Sequence, residues 1–555
     1  MSLVTYFYIL MTAMLASAIM IPPVSRIAVR FGGIDRPDAR KIHSDETPRL
    51  GGIAIFLSFL FSLIVFTDVD QTTRGFLAGA LVVFLTGLLD DVATLTPRQK
   101  FTGEIAAAII GLAMGGIWLD TIGDLFGFGE ISLGWLSRPF TVFAVVGVMN
   151  AINLIDGLDG LAAGGVAISC VVFGVLSYWS GNPALTLLAV GLVGSLVGFL
   201  WHNSYPARIF MGDSGSLFLG YCVGVFSIML VNDARFHISP MLPVLILGVP
   251  IIDTLVVMGN RLRKGRGLFS PDRTHIHHRL LDLGIGHKMT VIIVYGVSYL
   301  LAILSLLFRD MNGYEIAPLL LVLATLFYFI LHKLTTTESL RKLINISSNQ
   351  PIRETAVYRR MVSFSGHLRV VIKYVLFAII MLSLSIPIEN SLVIVGGTAL
   401  LLLLLLSFVL LFMKSYWSNL FLQVVLYGSG AFLIFVMENF GRAVTIAAFP
   451  VLDISRVLFA VLLFLEAVKV FIRKRTGHLV SSPFEYFLFF LLISVPLLPL
   501  ELTLSYHIMA VVGQSVVLFV AYKLILMRNT VRNRKVIAIT ALALLVFVIK
   551  YCCAL

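Results

Sequence analysis

Five groups of polar residues interrupt a chain that is otherwise strongly apolar. The groups are Lys41 to His43 with Pro48 to Gly52, Asp90-Asp91 with Lys100, Asn150 to Gly160, Phe210 to Gly215, and Asp272 to Arg279. An ionisable side chain within a bilayer carries a large free-energy cost, so such residues usually serve a function. These groups are therefore the candidate sites of chemistry.

The Asn150–Gly160 segment combines carboxamides, carboxylates and glycines. Asn150, Asn153 and Asp156 are spaced by three, so a helix would place them along one side. Gly157 and Gly160 would end that helix and let the backbone approach a ligand closely. Oxygen ligands of this kind suit Mg²⁺, which binds through one or two carboxylates together with substrate phosphates. The alternative is a polar contact between helices made by the Asn side chains.

Asp90 and Asp91 close an apolar stretch, and Lys100 follows ten residues after Asp90. Adjacent carboxylates repel each other unless a cation compensates them. Lys100 could balance the pair or bind a substrate phosphate. The alternative is two solvated charges at the end of a helix.

Asp213 lies between Gly212 and Ser214-Gly215, immediately before another apolar run. Glycine-flanked loops that lead into a helix favour phosphates, although Asp213 could equally be a helix cap. Phe210 could stack on a base, whereas an aromatic residue at a membrane interface is often only an anchor.

His275, His277 and His278 lie between two arginines, Arg273 and Arg279. We interpret this segment as a cationic cluster that recognises phosphate, with the planar guanidinium groups and the imidazoles as hydrogen-bond donors. A zinc site and a solvated basic loop are the two alternatives, since histidine is also a common zinc ligand.

The amino-acid composition distinguishes a membrane protein from a soluble one. The 555 residues are 59% hydrophobic and only 13% charged, with a mean hydropathy of +0.99. A soluble domain has about 25% charged residues, so an ordinary soluble enzyme is excluded. Apolar runs of about 20 residues recur, each long enough to cross a bilayer as a helix. The sequence therefore predicts an all-α polytopic membrane protein.

The spans and their loops give a topology. Eleven apolar runs precede residue 335, near 3–22, 51–67, 75–89, 101–117, 139–154, 161–179, 184–201, 215–231, 239–258, 290–308 and 314–332. Alternate loops share one side of the membrane and hold sixteen basic residues, against four on the opposite side. This excess marks the first side as cytoplasmic. It also accounts for the net charge of +12 without nucleic acid as a partner.

All five polar groups fall in the loops or helix ends of the cytoplasmic side, which supports one composite site. We assign residues 1–335 to a membrane core, 336–372 to a basic cytoplasmic linker, and 373–555 to a second multi-pass module with about seven further spans. No chemical motif is apparent in that module.

Together the five groups resemble the polyprenyl-phosphate N-acetylhexosamine-1-phosphate transferases, the superfamily of WecA, TagO and MraY. The His275-Ile276-His277-His278-Arg279-Leu280 sequence is similar to the WecA/TagO branch. The aspartate motif of the family often has a third carboxylate, and Thr94 stands at that position here. The resemblance covers about residues 1–335 and implies nothing about the rest.

The resemblance implies transfer of an N-acetylhexosamine 1-phosphate, in the first place GlcNAc-1-phosphate, from a UDP-sugar to undecaprenyl phosphate. UMP would be released and a lipid-linked surface glycan begun, such as an O-antigen or a teichoic acid. The enzyme would lie in the bacterial cytoplasmic membrane with its active site on the cytoplasmic face. Its oligomeric state is open, with a homodimer as one option.

Residue roles follow from the same resemblance. Mg²⁺, with Mn²⁺ as the alternative, would be held by Asp213 and Asn153. Asp90 or Asp91 would deprotonate and aim the lipid phosphate, and a covalent aspartyl-phosphate is the alternative route. Asp159 and Phe210 would hold uracil. His277 and His278 join Asp90, Asp91 and Asp213 as the expected catalytic residues. The expected substrate-binding residues are Lys41, Arg49, Lys100, Asn150, Asp156, Asp159, Phe210, Arg273, His275 and Arg279.

Two other classes of protein compete with this interpretation. A secondary transporter also uses intramembrane charges, but its sites lie near the middle of the bilayer, whereas here the carboxylates gather at one face. A lipid-carrier binding protein could use the same acidic helix ends without catalysis.

Overall fold

The computed structural model is almost entirely helical in the part of the chain that it describes. The described residues are 3–30, 33–35, 47–66, 70–232, 238–265, 274–336, 356–386, 393–412, 416–446, 449–475, 507–526 and 534–554. Their strands are two antiparallel pairs of two residues each, Ile34–Asp35 with Thr47–Pro48 and Thr445–Ile446 with Phe449–Pro450. The predicted all-α fold is confirmed.

The described residues form two compact units, one up to residue 336 and one from residue 356. The first unit contains a short 3-10 turn, Gly134–Leu136, and thirteen described α-helices. These are α1 Leu3–Arg30, α2 Gly51–Phe66, α3 Gln71–Ala93, α4 Pro97–Gly115, α5 Ser137–Ile155, α6 Leu161–Trp179, α7 Pro183–Asn203, α8 Gly212–Val231, α9 Met241–Ile246, α10 Gly248–Arg263, α11 Ile276–Asp282, α12 His287–Leu307 and α13 Gly313–Thr336.

Every apolar run predicted before residue 335 coincides with a described helix, and the run at 239–258 is divided into α9 and α10. The division falls at Leu247, three residues before Pro250. Proline has no N–H to donate to the preceding turn and is favoured in the first turn of a helix. Eight of the described helices are long and apolar enough to span a membrane, so the protein is a polytopic membrane protein. The number of spans stays a prediction.

Helix α8 forms the centre of the first unit and is buried along nearly its whole length. Aromatic rings fill the space beside it: Phe56 stacks on Phe84 with centroids 4.2 Å apart and meets the Phe218 ring edge-on at 5.3 Å. At the end of α8 that begins with Gly212, the backbones of α3 and α8 approach closely. A Cβ on Gly87 of α3 would lie 2.5 Å from the Asp213 carbonyl oxygen.

Capping groups determine where several of these helices begin. Thr96 accepts from the backbone N–H of Gln99, while the Gln99 side chain accepts from the backbone N–H of Thr96. With Pro97 in the first turn, this capping box begins α4. At the start of α3 the Asp70 carboxylate accepts from the Thr73 N–H at 2.8 Å, without a reciprocal bond.

The second unit is described over six helices and the second strand pair. Its helices are Ala356–Ser383, Val393–Phe412, Tyr416–Phe440, Val451–Arg475, Ile508–Leu526 and Arg534–Ala554. The first of them begins inside the predicted linker 336–372, so the described part of that segment is helical and continues into the next apolar run. One of the seven further spans predicted from the sequence is the apolar run at 484–500, which lies outside the described residues.

We expect Gly87→Ala to destabilise the first unit by about 1–3 kcal/mol, because a methyl group would force α3 away from α8. Thermal unfolding in detergent measures the effect. Gly147→Ala is the matched control, since a Cβ at that position of α5 meets no atom within 4 Å. Equal unfolding midpoints for both variants would show that α3 and α8 are not closely packed at Gly87.

A candidate active site at the ends of α3, α5 and α8

The buried carboxylate of Asp91 caps the first turn of α8. It is 2% exposed. Its Oδ1 accepts from the Asp213 N–H at 2.9 Å, and its Oδ2 accepts from the Ser214 N–H at 3.0 Å and from the Ser214 Oγ at 2.7 Å. The first amides of a helix have no partner within the helix and favour a negative charge. Asp91 therefore satisfies this helix end and fixes the position of Asp213.

Gly212 is required for this cap. Its φ is +71°, a conformation that glycine adopts without strain. A Cβ at Gly212 would also lie 2.6 Å from Asp91 Oδ1. Asp91 is thus buried and bonded to the backbone of α8, whereas the Asp90 side chain is 13% exposed, so Asp90 is the more open of the two carboxylates.

The segment with Arg49 is tied to the start of α8 by backbone hydrogen bonds. Phe210 donates to the Pro48 carbonyl at 2.7 Å, and Gly51 donates to the Phe210 carbonyl at 2.9 Å. The Arg49 Nη2 donates to the carbonyl of Asp91 at 2.8 Å, at the carboxyl end of α3, where a cation is favoured. The backbone of Phe210 is thus fixed and its side chain is partly exposed.

Lys100 joins two carboxylates from different helices. Its Nζ lies 3.0 Å from Asp90 Oδ2 and is also paired with Asp213 Oδ1. The Asn153 Nδ2 donates to the same Asp213 oxygen at 3.0 Å. The side chains of Asp90, Lys100 and Asp213 are 13%, 21% and 31% exposed. We call these four residues, Asp90, Lys100, Asn153 and Asp213, the carboxylate–lysine cluster; it is partly open to a ligand.

Asp90 also shapes the turn between α3 and α4. Its Oδ1 accepts from the Leu95 N–H at 2.8 Å, and its carbonyl accepts from the Thr94 N–H at 3.0 Å. The turn brings Lys100, in the first turns of α4, back to Asp90. The sequence left open whether Lys100 balances the Asp90-Asp91 pair or binds a substrate phosphate. In the structure Lys100 pairs with Asp90 and with Asp213, and its binding of phosphate stays a prediction.

Asn150 contacts a carboxylate that the motifs did not reveal. Its Nδ2 donates to Glu104 Oε2 at 2.6 Å and to the Val146 carbonyl at 3.0 Å. Glu104 is only 1% exposed. It lies four residues after Lys100, hence on the same face of α4, and that spacing is the signal that would have identified it. The contact matches the helix–helix alternative for Asn150, and a substrate-binding role for Asn150 stays a prediction.

Asp156 and Gly157 connect the cluster to the histidine segment. Burial, together with the carboxylates of Asp213, Asp91 and Asp159, raises the pKa of Asp156 to about 7. The next residue, Gly157, packs on the ring of His277, where a Cβ would lie 2.9 Å from the imidazole Cε1. The His277 ring therefore lies directly beside the end of the Asn150–Asp156 array.

Asp159 is buried and holds the loop that follows α7. Its Oδ2 accepts from the Ala207 N–H at 2.9 Å, and its own N–H donates to His287 Nε2 at 3.1 Å. The neighbouring Gly160 N–H donates to Asn203 Oδ1 at 2.9 Å. These contacts give Asp159 a structural task, and its binding of uracil stays a prediction.

The histidine segment forms the start of α11 and is less cationic than the sequence suggested. Burial, followed by the neighbouring His278, lowers the pKa of His277 to about 3. His277 is therefore neutral at pH 7, so the interpretation of this segment as a cationic cluster does not hold for His277. The His277 and His278 rings lie 4.3 Å apart. Arg279 donates from Nε to the Thr274 carbonyl at 2.7 Å.

Two of the predicted substrate-binding residues, Lys41 and Arg273, lie outside the described residues. Within the described ranges, no group of three or more His, Cys, Asp or Glu side chains is arranged to hold a metal ion. The zinc alternative for His275, His277 and His278 therefore has no ligand set. A magnesium ion needs fewer protein ligands when a substrate supplies phosphates. Adjacent Asp213 and Asn153, partly exposed, fit that requirement.

The fold and the site define a membrane-embedded protein that can handle phosphate groups at one end of its helix bundle. A model of the family described as glycosyl transferase family 4 matches residues 73–231, which include the whole carboxylate–lysine cluster. The probable undecaprenyl-phosphate N-acetylglucosaminyl 1-phosphate transferase of Bacillus subtilis (strain 168) is 34% identical over 301 residues, or 54% of this chain and 83% of the relative.

Two further relatives agree. The decaprenyl-phosphate N-acetylglucosaminephosphotransferase of Mycobacterium tuberculosis (strain ATCC 25618 / H37Rv) is 35% identical over 317 residues, covering 51% of this chain and 78% of the relative. The undecaprenyl-phosphate alpha-N-acetylglucosaminyl 1-phosphate transferase of Escherichia coli (strain K12) is 28% identical over 310 residues, covering 55% and 84%. The chain belongs to glycosyl transferase family 4 and is an enzyme of its sugar-phosphate transferase class, which confirms the resemblance read from the motifs.

The low pKa of His277 predicts how stability depends on pH. An unfolded imidazole has a pKa of about 6.5, so lowering the pH from 7.5 to 5 protonates the unfolded state but not His277 in the folded state. Stability should therefore fall over this range, and His277→Gln should flatten the fall. Unfolding midpoints in detergent at several pH values measure this. His332→Gln, at an exposed position of α13, is the control; identical slopes for wild type and His277→Gln would contradict the prediction.

Proposed function

We propose that the protein transfers GlcNAc-1-phosphate from UDP-GlcNAc to undecaprenyl phosphate and releases UMP, at the cytoplasmic face of a bacterial cytoplasmic membrane. The observation that carries this proposal is the carboxylate–lysine cluster, in which three helices bring Asp90, Lys100 and Asp213 together. The names of the relatives support the sugar and the polyprenyl acceptor. The excess of basic residues in the loops that hold the five motifs supports the cytoplasmic face.

The charge of the site suits a diphosphate bound with a divalent cation. Asp90, Asp156 and Asp213 bring several carboxylates to one place, with Lys100 between two of them. Asp213 and Asn153 would hold Mg²⁺ or Mn²⁺, with the remaining ligands from substrate phosphates and water. When bound, the ion would neutralise charge on the diphosphate. Lys100 would then exchange a carboxylate partner for a phosphate oxygen.

The chain's own residues would place the acceptor for attack. Asp90 is the carboxylate better placed to accept a proton from the lipid phosphate and to aim it, because its side chain is partly exposed whereas Asp91 is buried against the first turn of α8. An oxygen of the lipid phosphate forms a new bond to the phosphorus that bears the sugar, and the bond from that phosphorus to UMP breaks. His277, neutral and beside Gly157, can donate a hydrogen bond to the transferred group.

A non-catalytic lipid carrier or a transporter would not need this arrangement. The carboxylates lie at one end of the helices, rather than at the middle of the bilayer where transporter sites lie. The family assignment also favours catalysis.

The nucleotide that is released tests the class of reaction. We expect the purified protein, given undecaprenyl phosphate and UDP-GlcNAc, to form a lipid-linked diphospho-sugar and one UMP per product. No bond to the anomeric carbon changes, so the anomeric configuration of the donor should be retained. Because one diphosphate replaces another, added UMP should reverse the reaction. Mass spectrometry of lipid and nucleotide, with a panel of other UDP-sugars, measures this. UDP as the product, or an inverted sugar, would overturn the proposal.

Removal of the metal tests the role of Asp213. We expect EDTA to abolish turnover and Mg²⁺ to restore it, and we expect Asp213→Asn to lower kcat by at least about 100-fold while the unfolding midpoint changes little. Asp310→Asn is the control, because the Asp310 side chain is 76% exposed. Full turnover in EDTA, or an Asp213→Asn enzyme within about threefold of wild type, would exclude the metal role.

A further inference from the structure

A second buried carboxylate, Asp253 of α10, holds the histidine segment in place. Asp253 is 2% exposed. Its Oδ2 lies 2.7 Å from His275 Nδ1, and its Oδ1 accepts from the Ile276 N–H at 2.9 Å and from the Tyr328 hydroxyl at 3.1 Å. Asp253 belongs to none of the five polar groups in the sequence. Its three partners nevertheless lie in or beside the last of those groups.

The contact with His275 determines which ring nitrogen carries a proton. An ionised carboxylate can only accept, so His275 Nδ1 must carry the hydrogen. In the neutral ring, Nε2 is then the atom with a free lone pair. The His275 and His277 rings are nearly parallel, with an interplanar angle of 11° and centroids 5.8 Å apart. Asp253 thus fixes the orientation of one ring, and through it the stack that reaches Gly157.

Through its contact with Tyr328, Asp253 also influences the orientation of Arg279. The Tyr328 ring lies under the guanidinium group of Arg279, whose carbon is 5.5 Å from the ring centroid. Arg279 is also held by the Thr274 carbonyl. The Asp253 carboxylate of α10 therefore contacts His275 at the start of α11 directly. It reaches Arg279 of α11 through Tyr328 of α13. Such an arrangement stabilises the first turn of α11 and orients its polar side chains.

We propose that Asp253 is a positioning residue of the active site, which acts through His275. This inference rests on the proposed function, since it supposes that the histidine segment contacts the sugar-diphosphate. Carboxylates that orient metal-ligating histidines typically contribute 10- to 100-fold to metal affinity or activity, and we expect the same range for a histidine that contacts the substrate. Without Asp253, the His275 ring would remain in the site but could rotate or change its protonated nitrogen.

A kinetic double-mutant cycle tests this proposal. We expect Asp253→Asn to lower kcat for UDP-GlcNAc by about 10- to 100-fold, with KM changed by less than about threefold because the ring still lies in the site. Asp253→Glu, which keeps the charge, should retain more activity than Asp253→Asn. The double variant with His275→Ala should be no slower than His275→Ala alone, because residues that act as a unit are not additive. Asp282→Asn, at the exposed far end of α11, is the matched control.

A spectroscopic measurement separates this inference from the proposed function. In ¹⁵N-histidine spectra of the full chain, the His275 signals, assigned by their loss in His275→Ala, should report a proton on Nδ1 in wild type and not in Asp253→Asn. This readout does not require turnover, so it holds even if UDP-GlcNAc is not the donor. Strictly multiplicative losses in the cycle, an Asp253→Asn enzyme within about threefold of wild type, or an unchanged His275 signal would overturn the proposal.

Discussion

The structure of the site depends on the hydrogen bonds between the Asp91 carboxylate and the first turn of α8. A charge buried to this extent is stable only when it is fully hydrogen-bonded. The free amides of a helix N-terminus provide that compensation together with a favourable dipole. Since Asp91 lies in the last turn of α3, the bonds fix the ends of two helices relative to each other. Gly87 and Gly212 permit the close approach, and Asp213 is consequently held beside Lys100.

Three other buried or half-buried carboxylates of the first unit follow the same principle with different partners. Asp90 pairs with Lys100, Glu104 accepts from Asn150, and Asp253 accepts from His275. A buried ion pair is weak evidence for net stability. Each pair joins two helices. The polar contacts therefore set the relative position of apolar helix surfaces, which by themselves could pack in several registers. The free-energy cost of desolvating these groups is therefore accompanied by fixed positions of the side chains at the site.

Much of this could be predicted from the sequence. Apolar runs predicted every described helix before residue 335 except the short α11, because the bilayer requires helical segments of a certain length. The sequence also placed the five motifs on one side of the membrane, because they lie in alternate loops of the chain and alternate loops share one side. What could not be predicted is the partner of each side chain. Asp253 lies within an apolar stretch without a motif, and the partner of Glu104, Asn150, lies on another helix. The neutrality of His277 depends on burial that only the packed structure reveals. The role of Asp91 as the cap of α8 likewise could not be predicted, because it depends on how α3 and α8 pack.

The missing third aspartate of the family motif can be understood from the same contacts. Thr94 lies just after the end of α3 with a φ of +49°, and its side chain is exposed. Its N–H closes the turn on the Asp90 carbonyl, while the Leu95 N–H closes it on the Asp90 carboxylate. The turn that returns Lys100 to the site therefore depends on Asp90 and the backbone. A carboxylate at position 94 would add charge at the rim of the site, and its absence leaves the carboxylate–lysine cluster intact.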